Sequence, residues 1–344
     1  MGEPDRPAHL LDEAAGGQAV GARPGRADGL RPRLPLRRLA TAQPTPAALA
    51  LAAILAIVAI VTPAARTYGG TTLLLASFIP LTLASIAQMF IIAIGDIDLG
   101  IGQFLGLING IAVVLLPAHP ALGILALIGG VAGYLVMGLV VHLRKAPAIV
   151  VTLGASFVWL GCALLLLPAP GGTAPGYLVR AMNLTPPIVP YPIIFFVVLG
   201  IVAVLLLRRW RGGKIIRGIG GSPSGVRRAG ISVGWGVLAA YLLAGCFAVL
   251  AGLAISGVAT SGDANIGTDY TLNTIAAVVL GGGQLAGGKV SGAGTVLGAL
   301  VVGLIGAVLA FLHIDAAYDF AAEGLVLLIV VSLRLLGSRR AVLG

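Results

Sequence analysis

Charge is scarce in this 344-residue chain, because Lys, Arg, Asp and Glu together make up only 10% of it. A soluble domain carries about 25% charged residues, so this chain has too few polar side chains to cover a surface that faces water. Hydrophobic residues make up 58% of the sequence, and the mean hydropathy is +1.05. These values exclude an ordinary soluble domain and indicate an integral membrane protein.

Residues suited to catalysis or metal binding are also scarce. The two cysteines, Cys162 and Cys246, lie in separate apolar runs without metal-ligand spacing, so we interpret them as packing residues. The four histidines form no HExxH pattern, and no GxSxG elbow occurs. Residues 283–289 fit GxxxxGK, but Val290 stands where a phosphate-binding loop needs Ser or Thr. We therefore expect no catalytic residue, no metal site and no cofactor in this chain.

The apolar residues are gathered into runs that are long enough to cross a bilayer. A helix needs about 20 apolar residues for this. The runs predict an all-α, polytopic membrane protein with about ten transmembrane helices, some of them broken or half helices. One run, 271–283, is too short to cross as a straight helix, so it either forms a half-helix or continues into the glycine-rich segment after it. The ten runs are 46–62, 71–94, 99–116, 121–141, 148–167, 188–207, 235–258, 271–283, 293–312 and 320–336.

The basic residues flank these runs and indicate their orientation. With the N-terminus inside, every Lys and Arg except Arg66 and Arg180 falls on the inner side, in agreement with the positive-inside rule. The rule explains the basic composition without a nucleic-acid partner and predicts that both termini are cytoplasmic. The acids Asp263 and Asp269 then fall outside or at the outer membrane edge. The expected divisions are a flexible basic cytoplasmic tail (1–45), a membrane domain (46–336) and a cytoplasmic C-terminal tail (337–344).

The stretch GDIDLGIGQFLG, residues 95–106, places two aspartates between the second and third runs. Their spacing of two residues does not bring them to one helix face. Asp98 can instead cap the third helix, whose first amide groups lack partners, while Asp96 has no such explanation. The pattern GxGxxLG at 100–106 recurs at 292–298, and paired interrupted helices are typical of transporters. Chance recurrence among 51 glycines is the alternative.

Four motifs follow one another in the order of a known family. GDIDLGIGQ at 95–103 resembles GGIDLSVGS, and AIVVTLG at 148–154 resembles PFIVTLG. GGSPSGVRRAGISV at 220–233 resembles GGNxxAARxSGIxV, and AAVVLGG at 276–282 resembles AAVVIGG. The family comprises the permease subunits of ribose/xylose-type ABC sugar importers, and the resemblance covers roughly residues 70–336.

The chain departs from the family pattern at five positions. Asp96 replaces Gly, Gly100 replaces Ser, Ser222 replaces Asn, and Gly225 and Val226 replace Ala. Family membership survives these changes, but the solute does not follow from it. We expect Asp96 to have a function that is specific to this transporter.

The resemblance implies a multi-pass permease of the bacterial cell membrane that works with a second permease copy or a homologous permease. Cytoplasmic ABC ATPase subunits would bind ATP and Mg²⁺, an extracytoplasmic binding protein would deliver the solute, and this chain would catalyse nothing. The longest inside loop, 208–234, is the expected ATPase-coupling loop. Its candidate residues are Arg217, Gly220, Gly221, Arg227, Arg228 and Gly230.

A sugar or a similar small polar solute is the expected cargo, with nucleosides or branched-chain amino acids as alternatives. An ion-coupled secondary transporter is a further alternative, and a membrane enzyme has no supporting pattern. Polar residues in or beside the runs should face a solute route or bond to other helices, and both interpretations stay open. The hinge or translocation candidates are Asp96, Asp98, Gln103, Asn109, Thr152, Asn273 and Lys289.

Overall fold

The computed structural model describes residues 45–312 and, beyond them, residues 318, 321, 324 and 325. The tenth run and both predicted tails, apart from Thr45, lie largely or wholly outside these residues. Within the described part the chain is helical, and its only β-type pairing is an isolated bridge between Gly171 and Gly262. The expected all-α fold is confirmed.

Thirteen labels suffice for the main helices of the described part. The helix Ile101–Gly110 continues through a π-helical turn, Ile111–Leu115, into the short helix Leu116–Ala118. The helices are α1 (Thr45–Val61), α2 (Tyr68–Ala76), α3 (Ile79–Ile94), α4 (Ile101–Gly110), α5 (Pro120–Arg144), α6 (Ala148–Leu166), α7 (Gly176–Met182), α8 (Tyr191–Arg208), α9 (Arg211–Gly221), α10 (Pro223–Arg228), α11 (Val233–Ala259), α12 (Tyr270–Leu280) and α13 (Gly292–Phe311).

Seven described segments are long and apolar enough to cross a membrane. They match the second to seventh and the ninth predicted runs. Helices α1 and α12 are apolar but shorter, so the total of ten spans stays a prediction. The seven segments are Tyr68–Ile94, Ile101–Ala118, Pro120–Arg144, Ala148–Leu166, Tyr191–Arg208, Val233–Ala259 and Gly292–Phe311.

Helix α12 is a half-helix. Its 11 residues rise about 16 Å, roughly half of the hydrocarbon thickness. Tyr270, its first residue, packs against a cluster that contains Leu81, and Leu81 lies at the middle of the span Tyr68–Ile94. The alternative that the run continues into the glycine-rich segment is wrong, because residues 281–291 connect α12 to α13 without helix.

Both copies of GxGxxLG open a helix, the first at α4 and the second at α13. A Cβ atom on Gly102 would lie 2.3 Å from a backbone oxygen of segment 264–267, and one on Gly106 would lie 2.0 Å from another. In the second copy, a Cβ atom on Gly294 would lie 1.9 Å from the Gly281 oxygen, and one on Gly298 would lie 2.1 Å from the Ala277 oxygen. The two motifs therefore have the same packing role, because the glycines of each let a neighbouring backbone pack closely against the first turns of a helix.

Residues 261–269, here called the re-entrant segment, return into the bundle beside α4. The backbone N–H of Asp263 donates to the side-chain oxygen of Asn109 at 2.8 Å, and the segment then packs on Gly106 and Gly102. Residues 102 and 109 lie about 10 Å apart along the first half of a span. The expected place of Asp263 and Asp269, outside or at the outer membrane edge, stays a prediction. Gly262 pairs with Gly171 in the connection after α6, whereas the following residues 264–267 pack beside α4.

The two cysteines are free and exposed on α6 and α11. The interpretation of Cys162 and Cys246 as packing residues is therefore wrong. Hydropathy could not show which face of an apolar helix turns outward, because all faces of such a helix are apolar.

We expect Gly106→Ala to lower the thermal stability of the detergent-solubilised protein. The new methyl group would meet the Ala264 oxygen of the re-entrant segment, and such overpacking costs about 1–3 kcal/mol. Gly161→Ala is the matched control, because a Cβ atom at Gly161 in α6 meets nothing within 4 Å. The midpoint of thermal unfolding should fall for the first variant alone. Equal midpoints would contradict the close packing at α4.

Candidate functional site

Residues 95–100, here called the break segment, separate α3 from α4. Gly95 has a φ of 93°, in the left-handed region that favours glycine, and a Cβ atom there would lie 3.3 Å from the Ala286 oxygen. Its N–H returns to the carbonyl of Ile92, which ends α3. A turn and a close backbone approach therefore coincide at this residue.

Asp98 is the centre of the break segment and is 1% exposed. Its carboxylate accepts hydrogen bonds from the Gly100 N–H and from the Tyr134 hydroxyl of α5, both at 2.7 Å. The amide of buried Gln88, oriented so that both its groups are satisfied, bonds to the Asp98 backbone at 3.2 and 3.3 Å. A buried carboxylate is costly unless donors surround it, and here they do. The expected cap of α4 does not form, because no side chain caps this helix at Gly100; Asp98 instead closes a turn onto the Gly100 N–H.

Asp96 is only half-buried and accepts one hydrogen bond, from the Tyr241 hydroxyl of α11 at 3.3 Å. The two aspartates thus reach different helices, as their spacing predicts. The resembled motif has Gly at this position, so the bond from α11 is a connection that this chain adds. Tyr134 and Tyr241 were not among the predicted residues. Each is a single tyrosine within an apolar run, and nothing in the sequence indicates its hydrogen-bond partner.

Thr152 on α6 is fully buried against the break segment. Its hydroxyl oxygen accepts from the Leu99 N–H at 3.1 Å, and its hydroxyl approaches the Ile97 carbonyl at 3.3 Å. The structure therefore brings Asp96, Asp98 and Thr152 together at one place. There Thr152 satisfies backbone groups that the interrupted helix leaves free, as non-helical backbone inside a membrane protein requires.

Asn109 is placed elsewhere, about 12 Å along α4 from the segment's end. It is fully buried and uses both ends of its amide. Its nitrogen donates to the Ser256 hydroxyl at 2.9 Å and to the Ser261 carbonyl at 3.3 Å, and its oxygen accepts from the Asp263 N–H. Asn109 therefore fastens the re-entrant segment to α4 and α11. Gln103 and Asn273 are half-buried, and their side chains have no hydrogen-bond partner in the part of the chain that the structure describes.

The predicted coupling loop is largely helical. Helix α9 buries Ile216 and Ile219 against the bundle, whereas Arg227 and Arg228 on α10 are exposed. The hydroxyl of Ser222 accepts from the N–H of Gly225 and caps α10, so this departure from the family's Asn keeps a capping residue. The neighbouring coupling candidates are Arg217, half-buried on α9, and Gly230, exposed with a φ of 73°.

Three chain segments meet backbone to backbone beside α9, at a contact here called the glycine junction (Gly95, Gly220, Gly287 and Gly288). The Gly288 N–H donates to the Ala93 carbonyl at 3.0 Å. A Cβ atom on Gly220 would lie 2.1 Å from that carbonyl oxygen and 2.2 Å from the Gly288 nitrogen. The last turn of α9 is therefore pressed against both the end of α3 and the connection 281–291. Gly221 has open space, and Lys289 is exposed next to the junction.

Metal chemistry has no support in the described residues. No group of three or more His, Cys, Asp or Glu side chains there could hold a metal ion. The polar side chains of the break segment instead bond to protein groups. They suit a structural joint between helices more than a centre of bond-breaking chemistry.

A polytopic helical bundle with a half-helix, non-helical connections packed inside it and an exposed basic helix pair is typical of membrane transport proteins. A family model described as the permease component of the branched-chain amino acid transport system matches residues 70–331. The chain belongs to this family and is a membrane-spanning permease subunit of an ABC importer, and thus a multi-pass inner-membrane protein.

The curated relatives are import permeases. The chain is 30% identical over 258 residues to the ribose import permease protein RbsC of Haemophilus influenzae, covering 72% of this chain and 80% of the relative. It is 29% identical over 265 residues to the autoinducer 2 import system permease protein LsrD of Salmonella typhi, covering 74% and 80%. RbsC of Escherichia coli is 28% identical over 296 residues, covering 82% and 91%. No solved structure matches the chain.

We expect Tyr134→Phe to destabilise the protein more than Tyr241→Phe. The first change removes a 2.7 Å donor from a fully buried carboxylate, whereas the second removes a 3.3 Å donor from a half-buried one. Leaving a buried polar group short of a partner costs about 1–3 kcal/mol. Unfolding free energies from denaturant titration in mixed micelles would measure the difference. Equal losses would contradict the central role of Asp98.

Proposed function

We propose that this permease carries a sugar or a similar small polyhydroxylated solute inward by alternating access, driven by separate ATPase subunits. The observation that carries the proposal is the similarity, over more than two thirds of the chain, to import permeases named for ribose and autoinducer 2. The family model is named for branched-chain amino acids, so these solutes, together with nucleosides, form the second candidate.

The chain would act with three kinds of partner. ABC ATPase subunits bind ATP and Mg²⁺, an extracytoplasmic binding protein supplies the solute, and a second permease copy or a homologous permease completes the membrane part. No residue of this chain is catalytic in this proposal. The basic end of the bundle, formed by α9, α10 and the last turns of α5 and α8, faces the cytoplasm together with both termini.

Helix α10 is the proposed ATPase contact. Arg227 and Arg228 are exposed on it, and guanidinium groups make strong hydrogen bonds with carboxylates on a partner. Helix α9 connects this contact to the bundle, because its buried side chains and the glycine junction fix it to α3 and to the connection 281–291. A push on α10 would therefore reach the break segment through packed backbone, and Lys289 lies beside that path.

An ion-coupled secondary transporter is less well supported. Such a protein needs acids in the membrane that are free to exchange ions or protons. Asp98 is already bonded to Tyr134 and Gly100, and Asp96 receives a bond from Tyr241. Asp96 and Asp98 therefore have structural roles, whereas Asp269 of the re-entrant segment is exposed and is the acid on which this alternative would have to rely.

Reconstitution tests the proposed function. The permease, its candidate ATPase and its binding protein are placed in proteoliposomes, and uptake of radiolabelled ribose, adenosine and leucine is measured with and without ATP. We expect ATP-dependent uptake of ribose. Uptake of leucine or adenosine alone would transfer the proposal to the second candidate. Gradient-driven uptake by the permease without the ATPase would contradict ABC import.

Charge reversal tests the ATPase contact in the same system. Arg227→Glu should lower ATPase co-purification at least several-fold, because a carboxylate then faces the partner's acids. Arg180→Glu, on a short helix outside the basic end, is the control with the same charge change. Unchanged co-purification of Arg227→Glu would remove the assignment of α10.

We expect Gly220→Ala to separate ATPase binding from transport. The new methyl group would force α9 away from the Ala93 carbonyl, while α10 and its arginines stay available. ATP-dependent uptake should fall about tenfold or more with co-purification retained. Gly221→Ala, whose Cβ meets nothing within 4 Å, is the control. Equal uptake by the two variants would show that the glycine junction does not transmit the motion.

A further inference from the structure

The contacts of the re-entrant segment place its residues 264–269 between membrane-spanning helices. It runs beside the first half of the span Ile101–Ala118, and it leads into α12 at the level of Leu81, the middle of another span. Successive turns shape it, since the N–H of Ile266 bonds to the Asp263 carbonyl and the N–H of Thr268 bonds to the Asn265 carbonyl. These turns give the segment two different sides.

One side is packed and the other is open. Ala264 and Gly267 are buried against α4, whereas Asn265, Thr268 and Asp269 are exposed. The Thr268 hydroxyl donates to the Asn265 carbonyl at 2.8 Å, so its oxygen can still accept a bond. The Asn265 amide and the Asp269 carboxylate have no side-chain partner among the described residues. Asp269 immediately precedes α12 but does not cap it.

Lipid cannot be what the open side faces. Unsatisfied polar groups in hydrocarbon cost several kcal/mol each, and an acid at membrane depth faces the protein interior or a water-filled cavity. Non-helical backbone at this depth is tolerated only when it is buried or lines such a cavity. Since Asn265, Thr268 and Asp269 are exposed, burial within this chain does not account for them.

We infer that the open side of the re-entrant segment, carrying Asn265, Thr268 and Asp269, lines the aqueous solute route and binds hydroxyl groups of a neutral polyhydroxylated solute. An amide offers both donors and acceptors, and a carboxylate accepts two hydroxyl bonds. Leu272, 64% exposed three residues beyond Asp269, adds apolar surface for the C–H face of a sugar. The inference deepens the proposed function and rests on it for the class of solute.

Cysteine accessibility tests the route directly. In a background with Cys162→Ala and Cys246→Ala, Asn265→Cys and Thr268→Cys are made one at a time in the assembled importer. A charged, membrane-impermeant thiol reagent is applied to proteoliposomes, and modification is followed by mass. Ile128→Cys is the control, because Ile128 is 60% exposed on the apolar face of the span α5. We expect both test sites to react at least tenfold faster than the control.

Three results would overturn the inference. Both test cysteines could react as slowly as Ile128→Cys, or Thr268→Cys could form a disulfide between two permease copies, which would make this side a subunit interface. Rapid modification that leaves ATP-dependent uptake unchanged would also overturn it. Two test positions are used so that a folding defect in one, detected by thermal unfolding, leaves the other informative. Labelling is detected by mass and does not depend on solute uptake. Failure of the proposed function would therefore be recognised separately, as the absence of ATP-dependent uptake before labelling.

Discussion

The structure depends on one constraint: every backbone amide and carbonyl at membrane depth must find its partner inside the protein or in water. The break segment is not helical. Thr152 bonds its backbone at Leu99, and Asp98 bonds its backbone at Gly100. Nearby, the Gly288 N–H bonds to the last turn of α3. Two of these bonds, Leu99 to Thr152 and Gly288 to Ala93, join segments far apart in sequence. The connection between α3 and α4 is therefore cross-linked to several other parts of the bundle.

The same constraint sorts the polar side chains into two groups. Asp98, Asn109 and Thr152 are completely buried, and each uses its hydrogen-bonding groups on the protein itself. These residues hold segments in position and leave little capacity for a passing solute. Asn265 and Asp269 are exposed and keep theirs. The polar residues best suited to touch a solute are thus not the ones that lie deepest in the apolar runs, because a deep polar group must first satisfy its own hydrogen bonds.

The sequence predicted the features that are local and missed those that join distant residues. Hydropathy located seven described spans, since length and apolar composition decide them. Tyr134 and Tyr241 could not be found, because the bond to Asp96 joins residues 145 positions apart. The re-entrant segment was missed for a related reason. Its acids and glycines are those of a surface loop, and only the contact with Gly102 and Gly106 shows that it returns into the bundle.

In the proposed coupling mechanism, glycine would let the contact between α9 and the rest of the bundle be tight enough to transmit movement. At the glycine junction the backbone of α9 touches two other backbones with no side chain between them. A side chain in such a gap could change rotamer and absorb a small displacement, whereas peptide planes in direct contact have no such freedom. Motion of α9 must then displace the end of α3 and the connection before α13 together. Both of these connections lead into a helix that begins with GxGxxLG, so one movement at the basic end would reach the starts of both α4 and α13.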